Sequence, residues 1–341
     1  MLNNFQDISD QLKKYISDSD NICITTHSNP DGDAIGSSLG LYHLLLKMGK
    51  NAQVIVPNEY PAFLQWLPGN EKVLNFSKQK ENCIQVLSEA TIIFCLDYNE
   101  LRRSSYLNET IKNSTAVKIL IDHHPFPENI FDLLISDISV SSTAELVYET
   151  IIHCGFESFL EKNTAICLFT GLMTDTISFN VNCSNPRTFE VAARLLDFDI
   201  NKDEIHQKVF DNFSVNRQKL LGYVLHQKMI LLPEYNTGYI WLTKKELREF
   251  NFQPGDSEGF VNYPLSIKGI NFSAFFMERD NHVKISFRSK GTIPANTIMS
   301  ENFVGGGHRN AAGGEEEKLN IDDTIRKFLA LLPKYEKFLK G

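Results

Sequence analysis

The stretch Ile119-Leu120-Ile121-Asp122-His123-His124-Pro125 is an apolar run that stops at one acid and two histidines. Its opening reads as a buried strand, and the polar cluster marks where that strand ends. A His-His pair after a strand is commonly a surface or structural feature, but here it is not isolated. Ile22-Cys23-Ile24-Thr25-Thr26-His27-Ser28-Asn29-Pro30-Asp31-Gly32-Asp33 repeats the layout, a β-branched run ending in a histidine and two acids. Ile92-Ile93-Phe94-Cys95-Leu96-Asp97 ends in an acid, and Phe169-Thr170-Gly171-Leu172-Met173-Thr174-Asp175 does so after a helical run. Open parallel α/β sheets bind ligands at the carboxyl ends of their strands. Four apolar segments that each deliver Asp or His at their C-terminal ends therefore define a candidate site.

Outward from these segments, strands alternate with helices. Phe5 to Ile16 has helical periodicity, and Asn21 to Thr26 follows as a strand. The turn Pro30 to Asp33 opens a helix that runs through Leu46 and is ended by Gly49. Gly36 and Gly40, one helical turn apart, would let this helix approach the sheet closely. Further strands are expected at Asn51 to Val56, Thr91 to Leu96 and Val117 to Ile121, with a short helix at Asn82 to Ser88. This rhythm implies an α/β fold with a mostly parallel sheet flanked by helices. Beyond His124, Ser142-Thr143 with Glu145 reads as a helix start, with the helix ending at Gly155. A second helix covers Asn163 to Met173, and Asn185-Pro186 opens a third.

Residues Asp199 to Leu232 are more polar and mostly helical, and from Thr237 short strands take over. Residues 1–198 are thus expected as the first domain, 199–234 as a helical connector and 235–341 as a smaller α+β domain, with the active site in the cleft between the domains. A chain of 341 residues with 42% hydrophobic content can bury a substantial core. The net charge of -8 gives no general attraction to nucleic acid, although acids gathered around cations would invert the local field. Six cysteines show no C-x-x-C spacing and read as buried thiols of a reducing compartment. A polar start, Met1 to Asp7, and the lack of a bilayer-spanning run make a cytoplasmic protein the expectation, with no membrane partner. A homodimer is left open.

The second domain carries one sharp feature, Val304-Gly305-Gly306-Gly307-His308-Arg309-Asn310-Ala311-Ala312-Gly313-Gly314. Three consecutive glycines expose backbone N–H groups, and a helix starting at His308 would aim its positive end at an anion. Arg288-Ser289-Lys290, ending the preceding strand, strengthens a phosphate-binding reading over that of a loop with solvated charges.

In the first domain every candidate ligand is Asp or His and none is a thiolate. That donor set favours Mn²⁺ or Mg²⁺ over a structural Zn²⁺. His27, Asp31, Asp33, Asp97, His123 and Asp175 are too many for one tetrahedral ion and suit two octahedral ions sharing a carboxylate and a water. Two metals about 3.5–4 Å apart stabilise both the attacking and the leaving oxygen of an in-line phosphoryl displacement. Hydrolysis of a phosphoester is the reaction class that follows.

Taken together, these motifs resemble the DHH phosphoesterase superfamily, in its two-domain DHH/DHHA1 branch, which includes bacterial nano-RNases and 3'-phosphoadenosine 5'-phosphate (pAp) phosphatases. The resemblance runs through His27 to Asp33, Asp97, Asp122 to His124, Asp175, Arg288-Ser289 and Gly305 to His308. It implies that His27 and Asp31 hold one Mn²⁺, that Asp33, His123 and Asp175 hold the other, and that Asp97 bridges them with a nucleophilic water. It also implies that Asp122 orients His123 from behind and that His124 stabilises or protonates the leaving oxygen. Arg288, Ser289 and His308, with Gly305, Gly306 and Gly307, would hold the substrate's terminal phosphate or sugar. Arg102 and Arg103 read either as neutralising the scissile phosphate or as solvated surface cations. Where the family often has Gly after Thr174-Asp175-Thr176, this chain has Ile177, which could reshape the substrate side.

The implied substrates are short 5'-phosphorylated RNAs, cut to mononucleotides, and pAp. A cyclic- or linear-dinucleotide phosphodiesterase shares the same domains, and a non-catalytic nucleotide-binding module would be expected to have lost ligands that are all present here. A long single-strand exonuclease would be expected to add an oligonucleotide-binding barrel, for which nothing beyond Leu332 leaves room. His43, Trp66 and Phe63 read as packing, and His153, His206 and His226 as surface or capping groups.

Overall fold

β-Branched and aromatic residues with little polar interruption make strands that are buried on both faces, and this is how the first half of the chain folds. The computed structural model describes residues 5–340; Met1 to Asn4, part of the polar start, lie outside them. Two compact units result, Met1–Asn212 and Phe213–Gly341.

In the first unit the order is α1 (Phe5–Ser17), β1 (Asn21–Thr26), α2 (Gly32–Lys47), β2 (Asn51–Val56), β3 (Leu74–Asn75), α3 (Lys80–Glu89) and β4 (Ile92–Leu96). It continues with α4 (Asn108–Lys112), β5 (Val117–Asp122), β6 (Leu133–Ser136), α5 (Thr143–His153), α6 (Lys162–Asp175), α7 (Pro186–Leu196) and α8 (Lys202–Phe210). The six strands form one parallel sheet in the order β3-β2-β1-β4-β5-β6. Side-chain alternation sends Ile24, Val54, Phe94 and Ile121 to one face, where they pack with Leu39 of α2, Val147 of α5 and Leu168 of α6. Cys23, Ile55, Cys95 and Leu120 go to the other, against Cys83 and Leu87 of α3 and Ile111 of α4. Five of the six cysteines are buried and all are free thiols.

The second unit comprises α9 (Val215–Tyr223), β7 (Ile230–Leu232), β8 (Thr237–Leu242), α10 (Lys244–Glu249), β9 (Phe272–Glu278) and β10 (Val283–Ser289). Then come α11 (Ala295–Asn302), β11 (Val304–His308), β12 (Ala311–Glu316) and α12 (Ile321–Leu339). Its sheet runs β11-β12-β10-β9-β8-β7 and is antiparallel except between β8 and β9. Phe272, Phe276 and Phe287 of one face pack on Phe328 of α12.

Two sequence expectations change here. The 199–234 segment does not stand apart as a connector. Ile205 and Val209 of α8 join the first core, while Leu220, Leu221 and Val224 join the second, so the units meet at Asn212 and Phe213. The glycine-rich stretch is neither a loop nor a helix start: Gly305 to His308 form β11, paired residue by residue with β12. Among the described residues no helix is long and apolar enough to cross a membrane.

Candidate functional site

The C-terminal edge of the parallel sheet gathers the acids and histidines. His27 follows β1, Asp97 follows β4, and Asp122 closes β5 just before His123 and His124. Asp31 is the N-cap of α2, its carboxylate accepting the N–H groups of Asp33 and Ala34, both at 3.1 Å. Asp33, in the first turn of α2, reaches a different helix: it accepts the N–H of Thr143 at 2.6 Å and of Ala144 at 2.9 Å. These are unpaired donors of the first turn of α5, where the helix dipole also favours an anion. Asp175 arrives differently from the others, since it is the last residue of α6 and not a strand end.

Glycines set the spacing of these helices. A Cβ on Gly36 would lie 2.6 Å from the Cys167 carbonyl oxygen and 2.7 Å from the Gly171 nitrogen. One on Gly171 would lie 2.7 Å from Ala144 Cβ and 3.0 Å from Asp33 Oδ1. Gly36 and Gly40 therefore admit α6, through Gly171 and Leu168, rather than the sheet as their spacing had implied. Peptide against peptide is the closest two helices come, and it brings Asp33, Thr143 and Asp175 to one place.

Asp97 has φ +63°, in the left-handed region that Asp tolerates better than most residues. Its Oδ2 lies 3.4 Å from His27 Nε2, and its Oδ1 lies 3.6 Å from His123 Nε2. Thr143 Oγ1 donates to the same Oδ1 at 3.0 Å. His27 Nε2 is also 3.9 Å from Asp31 Oδ1, and His123 Nε2 is 3.6 Å from Asp175 Oδ2 and 3.9 Å from Asp33 Oδ2. His27/Asp31/Asp97 and Asp33/His123/Asp175 form two clusters that Asp97 adjoins, each with its ligand atoms within 4.8 Å of one another, and Asp97/Asp122/His124 forms another.

Charge in this pocket is strongly coupled. Burial opposes a charge on His27, but Asp31 and Asp97 overcome it and lift the imidazole to about 10. Asp31, despite burial, is held well below the usual carboxylate range by His27. Asp33 is pushed well up by burial and by the neighbouring Asp97, Asp175 and Asp31. His123 is raised against burial by Asp175 and Asp97. His124 goes the other way: burial and the nearby Arg103 guanidinium hold it well below the usual imidazole range.

Asp122, fully buried at the end of β5, is hydrogen-bonded to His124 Nδ1 at 2.7 Å, whereas the sequence expectation had it orienting His123. The two arginines after Asp97 also separate. Arg102 pairs with Glu100 on the surface. Arg103, tied into the site where its carbonyl accepts the Ser28 N–H at 2.7 Å, has no ion-pair partner for its guanidinium among the described residues. Ile177 has φ +48° and begins three left-handed residues with Ser178 and Phe179. Glycine enters this region freely and a β-branched side chain does so under strain.

Thr143 is the residue that sequence reading missed. It contacts both clusters, by its N–H to Asp33 and its hydroxyl to Asp97. Glu145 ties the chain entering α5 to α7, accepting the N–H of Ser141 at 3.0 Å and the hydroxyl of Thr188 at 2.9 Å. The helix-start signal at Ser142-Thr143 marked the place, but not the acid that the helix end would meet.

In the second unit the ladder sorts the remaining candidates by face. Arg288 and His308 both stand opposite Ala311, so they project from the same side with one small residue between them. One row along, Ser286 and Gly306 both face Gly313, and a Cβ on either glycine would meet nothing within 4 Å. The result is a flat glycine floor beside a cation and an imidazole. Gly305, Gly307 and Gly314 turn to the other side, where a Cβ would collide, at 2.5 Å or less, with Gly313 O, Ala311 O and Met299 Sδ respectively. Ser289 also points there: its hydroxyl donates to the Ile293 carbonyl at 2.7 Å and accepts from Asn310 at 2.9 Å.

A parallel sheet crowned by clustered carboxylates and histidines, followed by a separate mixed-sheet unit, defines a two-domain metal-dependent phosphoesterase. The model of the DHH family, N-terminal domain, matches residues 21–172, and that of the DHHA1 domain matches 236–335; the chain belongs to this family. It is 32% identical to the bifunctional oligoribonuclease and PAP phosphatase NrnA of Thermus thermophilus, over 90% of this chain and 88% of that one. The Bacillus subtilis protein of the same name is 27% identical over 95% and 98%. A solved structure of an exopolyphosphatase-related protein from Bacteroides fragilis superposes with a TM-score of 0.93 at 42% identity, covering 98% of both chains.

Proposed function

We propose that this protein hydrolyses short 5'-phosphorylated oligoribonucleotides to mononucleotides and converts pAp to AMP. The observation that carries the reading is Asp97, whose two carboxylate oxygens face different histidine–carboxylate clusters. His27, Asp31 and Asp97 would hold one divalent cation, and Asp33, His123, Asp175 and Asp97 the other. The donors are hard oxygens and imidazoles, which suits Mn²⁺ first and Mg²⁺ second. The charges also fit: the carboxylates of Asp31, Asp33, Asp97 and Asp175 are balanced by two dications, which would relieve the repulsion now pushing Asp33 upward. Such a pair, when bound, supplies an activated water and neutralises the phosphate in an in-line displacement.

The chain's own groups supply the rest. Arg103, a cation without an ion-pair partner among the described residues, draws the scissile phosphate. His124, with its ring oriented by Asp122, serves the leaving oxygen. Arg288 and His308 hold the terminal phosphate or sugar, with the glycine floor of Gly306 and Gly313 taking the flat part of the nucleotide. Ser289, Gly305 and Gly307 support that surface from its far side. The names of the Thermus and Bacillus relatives support both substrates, and buried free thiols are in keeping with a cytoplasmic location.

A product-resolved assay in Mn²⁺ tests this, with a 5'-phosphorylated RNA dimer and trimer, pAp and a cyclic dinucleotide side by side. Mononucleotides from the RNAs together with AMP from pAp are expected. Cleavage of the cyclic dinucleotide alone would overturn the reading in favour of a cyclic-dinucleotide phosphodiesterase.

A further inference from the structure

The loop after β5 carries Phe126, two residues beyond His124 and 85% exposed, more than any other large apolar side chain among the described residues. A lone exposed aromatic is ordinary on a protein surface. Two observations set this one apart. Its φ is +60°, in the left-handed region that a bulky residue enters only where its surroundings hold it there. They do hold it: the Asn99 side-chain amide donates to the Pro125 carbonyl at 2.7 Å, and the Asn99 carbonyl accepts the Glu128 N–H at 2.8 Å. The Glu128 carboxylate in turn accepts the Leu101 N–H at 3.0 Å. The backbone on both sides of Phe126 is clamped, while the ring is left in water.

The clamp also fixes where the ring stands. Asn99 and Leu101 belong to the loop that begins at Asp97, and the Arg103 carbonyl in that loop accepts the Ser28 N–H at 2.7 Å. The loops after β1, β4 and β5, which carry His27, Asp97 and His123, are thus tied to one another, and Phe126 belongs to the same piece. Two residues of chain reach no further than about 7 Å, so the Phe126 backbone lies beside His124 and the clusters of acids and histidines.

A phenyl ring offers no hydrogen bond to a phosphate or a sugar hydroxyl; its flat apolar face suits a nucleobase. The glycine floor of the second unit accounts for one base, which is all that pAp has. An RNA dimer has another, across the scissile phosphate. We propose that Phe126 is the platform on which the base of this second nucleotide stacks, and that it thereby favours short RNA over pAp. This rests on the oligonucleotide reading above and adds a specificity determinant to it.

The test compares a 5'-phosphorylated adenosine dimer with pAp in Mn²⁺. Phe126→Ala is expected to lower the ratio of kcat/KM for the dimer to that for pAp about tenfold, the size of one stacked base, and to do so through KM. Phe126→Trp should keep the ratio, and a dimer whose second residue lacks its base should lose the advantage in the wild-type protein already. A ratio unmoved by Phe126→Ala, or a wild-type protein that treats the abasic dimer like the intact one, overturns the proposal. The Phe126→Trp protein also gives a readout free of turnover. Without divalent metal, the intact dimer should quench its fluorescence beyond that of the wild type, whose tryptophans are Trp66 and Trp241, and the abasic dimer should not. Such quenching in a protein inert toward both substrates would sink the catalytic reading and leave the platform standing, whereas hydrolysis of both without quenching would do the reverse.

Discussion

In the first unit Asp33 is 1% exposed and Asp97 3%, and each is fixed by hydrogen bonds from α5; in the second, Arg288 and His308 are half-buried beside the glycine floor of Gly306 and Gly313. Buried like charges repel strongly, so the first site holds together by anchoring its carboxylates to a helix N-terminus and a threonine hydroxyl. Half-buried polar groups need less bracing, because water still screens them. The difference suits the two tasks proposed for them: a metal demands donors fixed to a fraction of an ångström, whereas a nucleotide can be met by a few polar groups over a flat floor.

The contrast is broken most severely at Asp97. Asp97→Asn should cut kcat by roughly 10³-fold or more while leaving the circular dichroism spectrum intact; turnover kept within tenfold in Mn²⁺ would remove its shared role. Thr143→Val tests whether the anchoring matters. It should weaken Mn²⁺ binding measured by calorimetry about 10- to 100-fold, with Thr143→Ser restoring most of it, and equal affinity in all three proteins would reduce the threonine to packing. On the second unit, His308→Ala should raise KM for pAp about tenfold at unchanged metal stoichiometry; metal loss would show that the two regions are not separable in this way. Smallest is Ser289→Ala, which should lower stability by about 1 kcal/mol in urea unfolding with KM unmoved. A raised KM would return Ser289 to the substrate face.

Much of the first unit was legible because two periodicities and their punctuation agree. Apolar strands ended in Asp or His, Asp31 looked like and is an N-cap, and Pro186 opens a helix. The second unit was harder to read. Gly305 to Gly307 have no side chains to show alternation, so the run reads as a loop until β12 is placed beside it. Arg288 and Ser289 look like one motif in the chain, but adjacent strand residues face opposite ways, and only the ladder shows that His308 keeps company with Arg288 alone. Thr143 escaped for another reason: its partner acids are 46 and 110 residues away in sequence.

The seam where Gly36 of α2 meets Gly171 of α6 has a consequence for heat. Side-chain contacts soften on warming as rotamers redistribute, but at this seam Gly36 meets the Cys167 carbonyl and the Gly171 peptide, and there are no rotamers to redistribute. The spacing of α2 and α6 at Gly36 and Gly171 is therefore set by hard-sphere contact and should show almost no thermal expansion until the helices themselves part.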